Sequence, residues 1–124
     1  MTRTPPQPAT GKLGILLPGL GAVSTTFIAG VELARRGLGR PIGSLVEMGT
    51  IRLGKRTDGR TPRMRDFVPL TPLKDIVFGA WDPIPDNAYE SALKAGVLDR
   101  HTHIEPIAEQ LRRIEPMPGE ADAY

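Results

Sequence analysis

Leu13-Gly-Ile-Leu-Leu-Pro-Gly-Leu-Gly-Ala-Val-Ser-Thr-Thr-Phe-Ile-Ala-Gly-Val-Glu32 is the stretch on which the fold turns. Its first residues, Leu13 to Leu17, form an apolar run of strand length. Gly19-Leu-Gly21 follows, and an amphipathic helix is expected from Ala22 to about Arg36, with Val23, Phe27, Val31 and Ala34 as its buried stripe and Gly37 to end it. A strand, a Gly-x-Gly turn and a helix in that order suit a dinucleotide pyrophosphate. The first glycine permits the tight reversal, the second lets the backbone approach the phosphates, and the helix presents free N–H groups and the positive end of its dipole. Ser24 stands where a third glycine would be. That position serves close packing of helix on strand, which a serine still allows. The candidate cofactor contacts of the turn are Gly19, Leu20, Gly21, Ala22, Val23 and Ser24.

Outward from this stretch the pattern stays α/β. Ser44-Leu-Val-Glu47 reads as a short strand. Asp75-Ile-Val-Phe-Gly-Ala-Trp-Asp82 reads as a second strong strand, apolar enough to lie in a parallel sheet. Asn87 and Glu90 form a capping-box pattern ahead of a helix that Gly96 closes, and Thr102 with Glu105 repeats the pattern ahead of Ile107, Leu111 and Ile114. The alternation implies an α/β fold, a Rossmann-like parallel sheet flanked by helices. With 124 residues the chain supplies about half of a two-part dinucleotide domain, so the domain is expected to be incomplete. Residues 1–10, with three prolines, read as a flexible leader, 11–115 as the partial nucleotide-binding domain, and 116–124 as a disordered tail.

Composition narrows the function classes. The chain has no cysteine, which excludes disulfides and thiolate chemistry and suits a reducing, cytoplasmic setting. A net charge of +2 is too small to argue for nucleic acid. The positive charge is local, in Arg52, Lys55, Arg56, Arg60, Arg63 and Arg65 within a long irregular segment. A solvated loop accounts for it, and contact with a phosphate or an adenosine is the sharper alternative. No aromatic residues are interleaved there for base stacking. The uncharged run from Leu13 to Val31 is interrupted by Pro18, Gly19, Gly21 and Gly30, so it is neither a membrane span nor a clean signal peptide, and secretion stands only as a minor alternative. His101 and His103 lack companion ligands, so no metal site is expected.

A dinucleotide site wants a carboxylate at a strand end for the adenosine ribose, typically about 20 residues beyond the glycines. Glu47 has that spacing. Asp82 lies farther along but ends a stronger strand, with Pro83-Ile-Pro85 to hold it at the carboxyl edge. Spacing alone leaves the two undecided; an acid at Asp82 argues for NAD over NADP.

Gly19-Leu-Gly-Ala-Val-Ser-Thr-Thr26, Met48-Gly-Thr-Ile-Arg-Leu-Gly-Lys-Arg56, and Val77-Phe-Gly-Ala-Trp-Asp82 leading into Asp86-Asn-Ala-Tyr-Glu90 together resemble the amino-terminal part of the inositol-3-phosphate synthase family. The resemblance spans roughly Gly11 to Met117. It implies a tightly held NAD and the conversion of D-glucose 6-phosphate to 1D-myo-inositol 3-phosphate by internal oxidation, enolisation, aldol closure and reduction. It also implies that Asp82 binds the adenosine ribose. Where the family's turn continues Gly-Gly-Asn-Asn, this chain has Ala22, Val23 and Ser24, so backbone N–H groups must carry more of the anion binding. Family chains are several times longer, with the lysines that assist enolisation and hold the substrate phosphate in the portion not matched here. No catalytic residue is therefore expected in this chain. It reads as an NAD-binding fragment of an isomerase that forms homo-oligomers at full length. The NAD(P) domain of an ordinary oxidoreductase and a noncatalytic nucleotide-binding or interaction module stand as the alternatives.

Overall fold

The computed structural model describes residues 10–119 together with Thr4, Gln7 and Pro8. The sheet begins with β1, Leu13–Pro18, and the chain then turns through Gly19 into α1, Ala22–Arg35. Two one-turn helices follow, α2 at Leu45–Met48 and α3 at Met64–Phe67. Strand β2, Ile76–Asp82, returns parallel to β1, with Leu13 opposite Ile76 and Pro18 opposite Trp81. Helix α4, Ala88–Ala95, and α5, Ala108–Arg112, lead to β3, Met117–Pro118, which pairs parallel with Trp81 and Asp82. The strand order is β1-β2-β3, so the expected α/β parallel sheet is present.

One face of the sheet carries the core. Leu17, Phe78 and Ala80 point towards α1, α4 and α5, where Ile28, Ile104, Ile107 and Leu111 are fully buried. Arg35 ties the far end of α1 to the start of β2. Its guanidinium donates to the Leu73 carbonyl at 2.7 Å, to the Ile76 carbonyl, and to the buried Glu32 carboxylate at 2.7 Å. Glu32 is thus a buried charge with a partner, as such charges must be.

Four expectations give way to the structure. Ser44–Glu47 is not a strand: the Ser44 hydroxyl accepts from the Glu47 N–H at 3.2 Å and caps α2. A local cap outweighs a two-residue apolar run that has no neighbouring strand to join. Thr102 is not the cap of the last helical segment, because Asp99 accepts from the Thr102 N–H at 2.8 Å and from its hydroxyl at 2.7 Å. The chain coils in a wide turn over Arg100–Ile104, tightens over Glu105–Ile107 where Pro106 lacks an N–H, and only then becomes α5. The buried face of α1 is not Val23, Phe27, Val31 and Ala34 but Thr25, Ile28, Ala29, Glu32 and Leu33, with Val31 alone shared. Val23 is 85% exposed, since the helices that cover α1 lie on its other side. Finally, Met117 and Pro118 extend the sheet although they fall within the expected tail; residues 120–124, and most of the expected leader, lie outside the described residues.

Candidate functional site

The carboxyl ends of β1 and β2 meet the amino end of α1, and the Gly19–Gly21 turn lies between them. Gly19 has φ +101, a conformation side chains rarely adopt, and its N–H donates to the Trp81 carbonyl at 2.6 Å. That bond continues the β1–β2 ladder one residue past the strand. The next residue is fixed by Asp82: its Oδ2 accepts from the Leu20 N–H at 2.8 Å, while its Oδ1 accepts from the Ile84 N–H at 2.9 Å. Asp82 therefore joins the glycine turn to the loop after β2, across 62 residues of sequence.

Gly21 occupies the N-cap position of α1 in extended backbone, and no side chain caps the helix. The first intrahelical bond runs from Thr25 N–H to the Gly21 carbonyl at 3.0 Å. The N–H groups of Gly21, Ala22, Val23 and Ser24 have no acceptor among the described residues. Unsatisfied donors and the positive end of a 14-residue helix point the same way, towards an anion. A Cβ added at Gly21 would meet nothing within 4 Å, so the approach to these donors is open. The buried Thr25 locks the turn from beneath, its hydroxyl donating to the Gly21 carbonyl at 2.8 Å.

Of the four residues with free N–H groups, Gly21 and Ala22 open onto a cleft of about 260 Å³ lined by Leu20, Gly21, Ala22, Asp82, Ile84, Asp86, Ser91, Lys94 and Ala95. The structure thus brings Leu20, Gly21, Ala22 and Asp82 to one cavity, with Gly19 behind it as the hinge. Ser24 is half-buried on α1, and the exposed Val23 borders a separate apolar recess with Phe27 and Val97. Of the two competing acids, Glu47 is elsewhere. It lines a larger cavity of about 350 Å³ with Arg35, Arg63, Arg65 and Lys74, and Arg65 approaches its carboxylate at 3.5 Å.

The basic segment doubles back on itself, with isolated antiparallel bridges between Thr50 and Arg63 and between Leu53 and Arg60. Three of its charges have local partners: Arg60 reaches Asp58 at 3.7 Å, Arg63 donates to the Glu47 carbonyl at 3.1 Å, and Arg65 approaches the Glu47 carboxylate. None of its residues lines the cleft at the glycine turn. His103 accepts from the Asp99 N–H at 3.1 Å, a turn contact.

Asp86 and Lys94 are the site residues that sequence patterning passes over. They form an ion pair within the cleft. The Lys94 ammonium holds the Asp86 carboxyl below the usual carboxylate range, and Asp86 in turn raises Lys94. A signal was available: Ser91 and Lys94 are three apart on α4, whose short connection from β2 forces it to fold back over the strand end.

Known proteins resemble this chain in sequence and in fold. A family model described as myo-inositol-1-phosphate synthase, for an NAD-binding domain, matches residues 13–122. Inositol-3-phosphate synthase 1 of Bacteroides thetaiotaomicron is 45% identical over 117 residues, which cover 94% of this chain and 26% of that protein. Inositol-3-phosphate synthase 1 of Oryza sativa subsp. japonica is 31% identical, over 87% of this chain and 23% of its own length. The crystal structure of inositol-3-phosphate synthase from Caenorhabditis elegans superposes with a TM-score of 0.74 over 92% of this chain and 24% of that one, at 23% identity, a likeness of fold. The chain spans about a quarter of the length of these relatives.

Proposed function

The chain belongs to the myo-inositol-1-phosphate synthase family, and on that premise we propose that it is the NAD-binding portion of an enzyme converting D-glucose 6-phosphate to 1D-myo-inositol 3-phosphate. One observation carries the assignment of the site: at the start of α1, where four N–H groups lack protein acceptors among the described residues, Gly21 and Ala22 line one cleft with Asp82 at the carboxyl edge of a parallel sheet. Sheets of this type bind nucleotides at that edge. NAD is the cofactor of the family, and when bound it would supply reversible hydride chemistry with no net redox change, as an isomerisation requires.

The geometry and the family resemblance support a role for each residue of the site. Gly19 makes the reversal, and Gly21, Ala22, Val23 and Ser24 offer N–H donors to the diphosphate. Asp82 keeps lone pairs beyond the two taken by Leu20 and Ile84, and these accept from the adenosine ribose hydroxyls. An acid at that position rejects the 2′-phosphate of NADP. The groups that act on the sugar belong to the portion of the enzyme outside this match, so the chain alone binds cofactor and does not turn over D-glucose 6-phosphate. A cytoplasmic location and homo-oligomeric assembly of the complete enzyme complete the proposal, with no nucleic-acid or membrane partner; no helix among the described residues is long and apolar enough to cross a membrane.

Calorimetric titration of the purified chain with NAD and NADP, repeated on Asp82→Ala, tests this. The expected result is saturable NAD binding, weaker NADP binding, and a loss of about tenfold in NAD affinity in the variant, the equivalent of one good hydrogen bond to a charged group. Because Asp82 also holds two backbone N–H groups, a thermal melt of the variant accompanies the titration. A cooperatively folded wild-type chain that binds no NAD overturns the proposal in favour of a noncatalytic module.

A further inference from the structure

We propose that Lys94 is a ligand of the cofactor diphosphate. The inference rests on the nucleotide reading of the cleft and adds a residue to it.

The argument starts from charge. A diphosphate brings two negative charges, and everything the glycine turn offers it is neutral. Leu20, Gly21, Ala22 and Val23 carry no polar side chain, and the free end of α1 amounts to about half a positive charge. The other ionisable groups in the cleft are acids: Asp82 and Asp86 line it together with Leu20, Gly21 and Ala22. Without a cation this cavity would repel the ligand its amides are arranged to receive. Lys94 is the one basic residue among those lining it.

Placement agrees with charge. Lys94 sits in the last turn of α4, across the cleft from the amino end of α1, and its ammonium is anchored by Asp86 while 68% of the side chain stays exposed. An exposed ion pair of this kind contributes only about 0–1 kcal/mol, so it holds the ammonium in place without confining it there. An ammonium has three donors, and Asp86 is its one hydrogen-bond partner among the described residues. A phosphate oxygen can therefore be met while the Asp86 contact is kept. The compact, mobile charge of a lysine suits this better than the fixed fork of an arginine would.

The test titrates the wild-type chain and Lys94→Ala with NAD, ADP and adenosine at low and high salt, with Lys94→Arg as the charge-conserving control. Lys94 is exposed, so the melts of the variants are expected to match wild type. The expected result is a loss of about tenfold in affinity for NAD and ADP in Lys94→Ala at low salt, a shallower salt dependence, unchanged binding of adenosine, and recovery to within about threefold in Lys94→Arg. Wild-type binding of NAD with Lys94→Ala unaffected, or with adenosine weakened as much as ADP, overturns the role of Lys94 and leaves the nucleotide site standing. A wild-type chain that binds neither NAD nor ADP overturns the site itself, and the inference with it.

Discussion

At Gly19 and Gly79 the cost of a methyl group is set by different physics. Gly19 has φ +101, and a Cβ added there would meet nothing within 4 Å, so Gly19→Ala suffers from backbone strain alone. Such strain costs about 1–3 kcal/mol. Gly79 has ordinary backbone, and its added Cβ would come within 2.8 Å of Leu16 Cδ2. That atom is the tip of a flexible side chain that is 56% exposed, and it can swing away. Gly79→Ala is therefore expected to cost less than about 1 kcal/mol, within the range of ordinary surface changes. Urea unfolding of the two variants checks the order, which is the reverse of what crowding alone would give. Gly19→Ala should also loosen the Leu20 N–H from Asp82, so its NAD affinity is expected to fall with its stability, whereas that of Gly79→Ala should not.

At the scale of the element, α1 is left uncapped and α4 is not. Asn87 accepts from the Glu90 N–H at 2.9 Å, and Gly96 closes α4 at φ +66. Gly21 offers α1 no such side-chain cap, and its backbone would accept any residue. Gly21→Asp is expected to stabilise the chain by about 0.5 kcal/mol through capping and the helix dipole. The same carboxylate would occupy the N–H groups meant for phosphate and bring a like charge, so NAD affinity should fall by more than about tenfold. A melt and a titration that moved in the same direction would sink this account. The turn before α5 carries a pH dependence. Glu105 accepts from the Tyr89 hydroxyl at 2.6 Å, which, with Arg100 second, holds its carboxyl below the usual range. A depressed carboxylate stabilises the fold fully above its unfolded-state value, and that contribution is lost as pH falls through the folded one. Tyr89→Phe should therefore melt lower than wild type at neutral pH, with the gap narrowing as pH falls below the ordinary carboxylate range. The elements legible in sequence, β1, α1, β2 and α4, are those whose patterns are local: an apolar run, a glycine turn, a capping box. α2 was legible too, as Ser44 and Glu47 three apart, had the short apolar pair not suggested a strand. The buried face of α1, the two residues of β3 and the place of Lys94 depend on what packs alongside, which no local pattern encodes. For the same reason spacing could not choose between Glu47 and Asp82, while the fold separates them into different cavities.

At the scale of the whole molecule, the described residues cover the sheet on one side. Parallel sheets are normally buried on both faces, yet here Leu16, Val77, Trp81 and Met117 are 56%, 43%, 38% and 42% exposed, while α1, α4 and α5 pack on the other face. The apolar character of β2, so strong in sequence, is thus only half used within these residues. An uncovered face of this kind binds apolar dyes while the opposite face keeps its specific packing. The folded chain is expected to enhance the fluorescence of anilinonaphthalene sulfonate and still melt cooperatively. Leu16→Lys with Val77→Lys should remove most of that signal and shift stability by no more than about 0.5 kcal/mol per site, because neither side chain belongs to the core. Ile107→Ala, by contrast, empties a fully buried position and should cost about 2–5 kcal/mol. If the lysine pair left the dye signal intact while Ile107→Ala raised it, the dye would be reporting a loosened core, and the packing described for α1, α4 and α5 would be the part in error. Loss of the signal with an unchanged melt would instead place the binding surface on the open face of β1 and β2, at the strands that also end in the glycine turn and Asp82.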